Sequence, residues 1–145
     1  MLRLVADASV VIKWLNPHEA LADQANLMRD DYEQGRISLI VPAFWDYEVA
    51  NGINKAVARG HLSESEGLDA IALVQAIQAQ KEPLPSPQES YELARRYQRS
   101  VYDSWYVNLA EQTGCEFWTA DRKLYNAMKD KVPLVRWLGD YPSQP

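Results

Sequence analysis

The sequence predicts an α/β sandwich, a central and mostly parallel sheet of four to five strands flanked by helices. Short apolar or β-branched runs alternate along the chain with longer stretches of helical period. Caps and glycines punctuate those stretches where helices should begin and end. At 145 residues the chain has room for one domain that buries roughly 70% of its unfolded surface, so no disulfide or structural metal is needed to hold a core.

Leu2 to Ala6 is an apolar run interrupted only by Arg3, read as a strand ending at Asp7, and "ASVVIKWL" then opens a helix. A second helix is expected over "HEALADQANLMRDDYEQG", closed by Gly35 just past its end. "ISLIV" has the composition of a strand, and Pro42 is expected to open the helix "PAFWDYEVANGINKAVARG", which stops at Gly60. Ser63 and Glu66 stand at capping-box spacing, which makes "SESEGLDAIALVQAIQAQ" a further helix; "KEPLP" is a candidate short strand. Ser86 at the cap, Pro87 at the first helical position and Glu89 at the third start the helix "SPQESYELARRYQ". "SVYDSWYVNLAE" is the next helix, stopped at Gly114; "CEFWTA" is a strand, "RKLYNAMK" a short helix and "PLVRWL" a last strand. A single domain over residues 1–140 is expected, with a frayed tail over 141–145.

Apolar residues make up 47% and charged residues 24%, the profile of a soluble globular protein. A single cysteine excludes an internal disulfide and suits a reducing cytoplasm. "MLRLVADASV" lacks the basic and long apolar regions of a signal peptide, and no apolar run approaches the ~20 residues of a membrane span, so a cytoplasmic location with no membrane partner is expected. The formal charge of −5 argues against gripping nucleic acid by bulk electrostatics, though not against holding a phosphate chain through a bound cation and local basic groups.

Four carboxylates stand where charge is least welcome. Asp103 heads a helical row continued by Tyr106, Val107 and Ala110. Glu48 shares a face with Trp45, Val49, Gly52 and Ile53. Asp7 and Asp121 each sit where an apolar strand hands over to a helix, on the edge where open parallel sheets bind ligands. Each has an ordinary alternative. Asp7 and Asp121 suit helix caps, Glu48 could reach the surface or pair with Lys55 or Arg59, and Asp103 suits the dipole of a first turn. One shared cause, a divalent cation, replaces four separate accounts. Two carboxylates about 6 Å apart repel by roughly 3 kcal/mol at an effective dielectric of about 20, and a cation offsets that repulsion. Oxygen-only ligands suit Mg²⁺ or Mn²⁺ rather than Zn²⁺, since His18 and His61 lie in loop-like stretches and Cys115 reads as core. Acids around hydrated Mg²⁺ are the means of phosphodiester hydrolysis, and no Ser–His pair, Cys–His pair or glycine-rich phosphate loop competes.

"VADASVVIKWL", with Asp7, Ser9, Lys13 and Trp14, opens a series of four segments. "PAFWDYEVANGI" follows with Glu48 and Asn51, "SVYDSWYVNLAE" with Asp103, and "FWTADRKL" with Thr119 and Asp121. In this order, over nearly the whole chain, they resemble the motifs of the PIN-domain ribonucleases, specifically the VapC-type toxins of bacterial toxin–antitoxin pairs. The resemblance implies a PIN-like three-layer sandwich and an Mg²⁺-dependent endoribonuclease in which Mn²⁺ can substitute. It implies Asp7 and Asp103 as the direct metal ligands and Glu48 and Asp121 as the acids that complete the catalytic pocket. Ser9, Thr119 and Asn51 become the polar groups that orient those carboxylates. A homodimer and a small antitoxin that blocks the pocket are implied as well.

RNA contacts are expected from the basic groups flanking the acids: Lys13, Arg95, Arg96, Arg99, Arg122 and Lys123. A solvated helix face with Arg95 and Arg99 at i,i+4 is the competing account of the arginines. The five tryptophans are read as core or interface rather than base-stacking groups. "AIALVQAIQAQ" and "ANLMRDDYEQG" offer helical surface for an antitoxin helix or second subunit, or simply for the sheet. Three other functions stay in view: a phospho-acceptor receiver domain, an RNA-processing PIN nuclease outside any toxin pair, and a catalytically silent PIN-fold binding module. The first is disfavoured because Asp7 has no adjacent acid and "ISLIVP" ends in proline.

Overall fold

The computed structural model describes residues 1–15 and 20–142. Five strands form one sheet: β1 (Leu2–Ala6), β2 (Ile37–Pro42), β3 (Gln80–Glu82), β4 (Phe117–Thr119) and β5 (Val135–Trp137), in the order β3-β2-β1-β4-β5. Every neighbouring pair is parallel. Such a sheet must be covered on both faces, which is why its strands read as apolar runs rather than alternating ones. Seven helices supply the cover: α1 (Ala8–Leu15), α2 (Ala22–Glu33), α3 (Trp45–Ala58), α4 (Glu64–Ala76), α5 (Pro87–Tyr97), α6 (Val101–Thr113) and α7 (Arg122–Met128). The chain winds outward from β1 through β2 to β3, then returns through α5 and α6 to β4 on the other side of β1. With right-handed crossovers, that reversal sends α1–α4 to one face and α5–α6 to the other. It also makes the junction of β1 and β4 the switch point of the sheet.

The helix starts follow their caps. Ser63 and Glu66 form the expected capping box, and Ser86 and Ser100 accept the amides of Glu89 and Asp103. Gly114 ends α6 at φ 68°, a left-handed position that penalises any Cβ. Trp45, Trp118, Tyr106 and Phe117 are the largest wholly buried side chains, and Cys115 is a buried free thiol, as expected of core packing. Trp14 is buried too, while Trp105 and Trp137 are half-buried. Among the described residues no helix is long and apolar enough to cross a membrane.

Three expectations give way. Pro42 does not open a helix; it closes β2, opposite Glu82, and α3 begins at Trp45. The β1 ladder has already ended at Ile40, so no partner there requires the amide hydrogen that proline lacks. The third strand is Gln80–Glu82 rather than "KEPLP", and α4 stops at Ala76 because Ile77 turns extended to lead the chain to the sheet edge. Tyr141, expected to fray, is buried edge-on against Trp118 and donates its hydroxyl to Asp31. Residues 143–145 and His18 lie outside the described residues.

α1 crosses α3 at Gly52, where a Cβ would collide with the Ile12 side chain. Gly52→Val should destabilise the fold by about 1–3 kcal/mol through overpacking. Adding Ile12→Ala should recover part of that loss; strict additivity of the two changes in a denaturation cycle would refute the contact.

Candidate active site

Adjacent strands bring the first acid to its partners. β1 and β4 pair at Val5–Phe117 and Ala6–Trp118, so the residues that follow stand side by side at the carboxyl edge. There Asp7 Oδ2 accepts the Thr119 hydroxyl at 2.6 Å, and Oδ1 accepts the hydroxyl of Ser9. Ser9 Oγ in turn accepts the Ala120 amide at 2.9 Å, and Thr119 Oγ1 accepts the Asp121 amide at 3.1 Å. Both hydroxyls are thus aimed at Asp7 by the backbone of the turn into α7. Asp7 does not cap α1 with its side chain. Its backbone carbonyl takes the Val10 amide at 3.2 Å, and the carboxylate is spent on the two hydroxyls.

The other three acids arrive from separate helices. Asp121 caps α7, with Oδ1 accepting the Leu124 amide at 3.1 Å. Glu48, in the first turn of α3, accepts the Tyr106 hydroxyl on Oε1 at 2.7 Å. Asp103, in the first turn of α6, accepts Arg99 Nη2 at 3.0 Å and Nε at 3.3 Å on Oδ2. Glu48, Asp103 and Asp121 therefore each have one carboxylate oxygen engaged and one with no partner among the described residues.

The acids feel one another. Burial pushes the Asp7 carboxyl up to about 7, and the fields of Glu48 and Asp103 add to it against the pull of Ser9 and Thr119. Burial raises Glu48 as well, opposed by the Tyr106 hydroxyl and reinforced by Asp103. Asp103 is raised by burial and by Asp121, with Arg99 acting in the opposite direction. The phenol of Tyr106 is held well above its ordinary range by burial and by Glu48, Asp7 and Asp103, so it remains a proton donor at any working pH.

This donor set fits a hard, hydrated cation. The four carboxylates, with Ser9, Thr119 and Tyr106, offer oxygen alone, and burial together with a neighbouring acid disfavours the charged forms of Asp7, Glu48 and Asp103, which a cation would offset. Among the described residues no three His, Cys, Asp or Glu side chains converge closely enough to hold an ion unaided.

The remaining predicted residues scatter. Asn51 is exposed one turn beyond Glu48, lining the same cavity without a hydrogen bond to the acids. Arg99 does not share a face with Arg95: α5 ends at Tyr97, Gln98 adopts a left-handed conformation, and Arg99 is turned back onto Asp103. Arg95 and Arg96 stay exposed on α5, Lys13 is half-buried on α1, and Arg122 lies 3.9 Å over the Trp137 ring beside an exposed Lys123. Sequence reasoning missed Tyr106, taken only as core, although its place three residues after Asp103 put it on the acid's face. It also missed Lys55 and Arg59 as site residues. Their spacings of seven and eleven from Glu48 return them to the same side of α3.

A parallel sheet with acids from four elements gathered over its switch point defines an α/β domain built to act at that edge. The PIN domain profile matches residues 4–129, and the chain belongs to the PIN domain family. It is 32% identical to Ribonuclease VapC12 of Mycobacterium tuberculosis over 83% of this chain and 88% of that one. The crystal structure of PAE2754 from Pyrobaculum aerophilum shares the fold at a TM-score of 0.63 and 21% identity, over 88% of this chain and 81% of its own. So does Mycobacterium tuberculosis VapC20, described as a sarcin–ricin-loop-cleaving toxin, at 0.61 and 14%, over 86% and 95%.

A carboxyl raised from 3.8 to about 7 holds a proton in the folded chain that the unfolded chain has released. Folding stability is therefore full below about pH 4 as far as this group is concerned, and is lost as pH rises through 7. With chelator present, unfolding free energy should fall by a few kcal/mol between pH 5 and pH 8, and Asp7→Asn should flatten the decline. An equally steep decline in the variant would show that Asp7 is not its source.

Proposed function

We propose that the chain is an endoribonuclease that hydrolyses RNA phosphodiester bonds with Mg²⁺, or Mn²⁺ in its place, as the toxin of a type II toxin–antitoxin pair. The observation that carries this reading is the convergence of Asp7, Glu48, Asp103 and Asp121 from four elements onto one edge, in a family whose relative VapC12 is named a ribonuclease. Asp7 and Asp103 would hold the ion, and Glu48 and Asp121 would complete the acidic pocket directly or through waters. When bound, the ion acidifies and orients the attacking water and neutralises charge on the leaving oxygen.

The chain's own groups do the positioning. Ser9 and Thr119 fix the plane of the Asp7 carboxylate by donating to both of its oxygens. Tyr106 and Arg99 each occupy one oxygen of Glu48 and Asp103, leaving the second to face water or ion. Water attacks phosphorus and gives up a proton to an acid of the cluster, the bond from phosphorus to the leaving ribose oxygen breaks, and that oxygen takes up a proton from solvent to leave as a hydroxyl. A cognate antitoxin, a homodimeric assembly and a cytoplasmic location belong to the same reading, as does a single domain over residues 1–140.

Purified protein should cleave structured RNA with Mg²⁺ or Mn²⁺ and fail with chelator. Asp103→Asn should remove cleavage by at least a hundredfold while leaving the chain folded, and more stable without metal because repulsion falls. Wild-type rates in that variant would sink the site assignment. Tyr106→Phe should lower kcat about tenfold with KM little changed, because it frees Glu48 without touching substrate. A change confined to KM would contradict that role.

A further inference from the structure

The largest opening beside the acids is not itself acidic. A cavity of about 500 Å³ runs from Ser9 and Glu48 past Asn51 to Lys55, Arg59 and His61, along the groove between α1 and α3. Lys55 and Arg59 are exposed, and neither side chain makes an ion pair or hydrogen bond among the described residues. Elsewhere Arg36 is held by Asp31, Lys81 by Asp46, Arg99 by Asp103 and Arg136 by Glu116, whereas these two stand on one helix and open onto one cavity. With a net charge of −5, cations left unpaired in a concave surface leading out of the acidic pocket are an island of positive potential. The helical rise sets Lys55 about 10 Å and Arg59 about 16 Å along the α3 axis from Glu48. Successive phosphates of an extended strand recur on that scale.

We propose that this α1–α3 trough is the substrate strand's exit from the scissile position, with Lys55 and Arg59 each taking a backbone phosphate and Asn51 and His61 bordering it. The assignment rests on the nuclease reading above and adds to it where the RNA lies. It moves the phosphate-binding role from the α5 arginines, which sit on another helix outside the cavity, to two residues that share a helix with Glu48. A strand laid along α3 has its phosphates drawn to Lys55 and Arg59, while its scissile phosphate approaches the acids only through bound cation. The contacts are to phosphate, so they position the strand without selecting its sequence.

Binding can be tested apart from chemistry. In the full-length chain carrying Asp7→Asn to suppress cleavage, the affinity for a fluorescent single-stranded RNA of mixed sequence is measured across a salt series with Mg²⁺ present. Lys55→Gln with Arg59→Gln should weaken binding about tenfold, and should lower the slope of log affinity against log salt by roughly 1.4, two single-strand phosphate contacts' worth. Arg36→Gln, which removes the same kind of charge ahead of β2 at the opposite edge of the sheet, should change neither. In the cleavage-competent chain the double change should raise KM with kcat held. Unchanged RNA affinity and slope in the double variant overturn the trough, whether or not the wild type cleaves. So does weakened binding of an acidic peptide with RNA binding intact, which would make the groove a protein site. Absence of cleavage by the wild type, with RNA binding still lost in the double variant, would instead count against the nuclease reading alone.

Discussion

Everything at this site depends on keeping one carboxylate buried at the junction of two strands. Asp7 follows β1, the middle strand of the sheet, and lies beside the end of β4. Burying a carboxylate without partners costs several kcal/mol, and the chain offsets that by aiming two hydroxyls at it. Neither hydroxyl is loose: Ser9 is held by the Ala120 amide and Thr119 by the Asp121 amide. The strand pairing, the turn into α7 and the first turn of α1 thus share one polar knot, and the fourth acid enters the site from the same turn that orients the first.

The other acids follow a common pattern in which the protein holds one oxygen and leaves the other open. An amide, a phenol and a guanidinium serve Asp121, Glu48 and Asp103 in turn. Each of these donors limits the freedom of its carboxylate, and only Arg99 brings charge that offsets part of the repulsion within the group. Tyr106 links this pattern to the core, because its ring is stacked on Phe117 of β4 at 5.4 Å while its hydroxyl reaches Glu48. Packing between α6 and the sheet therefore fixes where an α3 acid points. A rigid layer beneath the acids is what preorganisation requires.

Legibility in the sequence tracked locality. The capping box at Ser63, the Ser86–Pro87–Glu89 start and the Gly114 stop were readable because each is settled by side chains three or four residues apart. Pro42 misled because its local preference for a helix start lost to β3, which offered a strand partner on one side while β1 had ended on the other. Tyr141 misled for a similar reason: a Pro-flanked segment at the chain's end looks loose until Trp118 and Asp31 are placed beside it. Arg99 read as a member of a basic helix face because the left-handed residue at Gln98, which ends α5 before it, has no glycine to announce it.

The four acids were legible as anomalies, since a carboxylate in an apolar row or at a strand end conflicts with its neighbours whatever the fold. The sequence by itself determined the alternating order of strands and helices and the residue types at the sheet edge, because these follow from periodicity and composition. Only the tertiary structure decided which oxygen of each acid is spent, that Tyr106 and Arg99 are the groups spending them, and that Lys55 and Arg59 open onto the same cavity as Glu48. Glu48 meets Tyr106, and Asp7 meets Thr119, from more than fifty positions away, so no window of sequence holds both partners. Arg99 and Asp103 stand only four apart, but the left-handed turn at Gln98 decided that they meet, and packing decided which side of α3 is left uncovered.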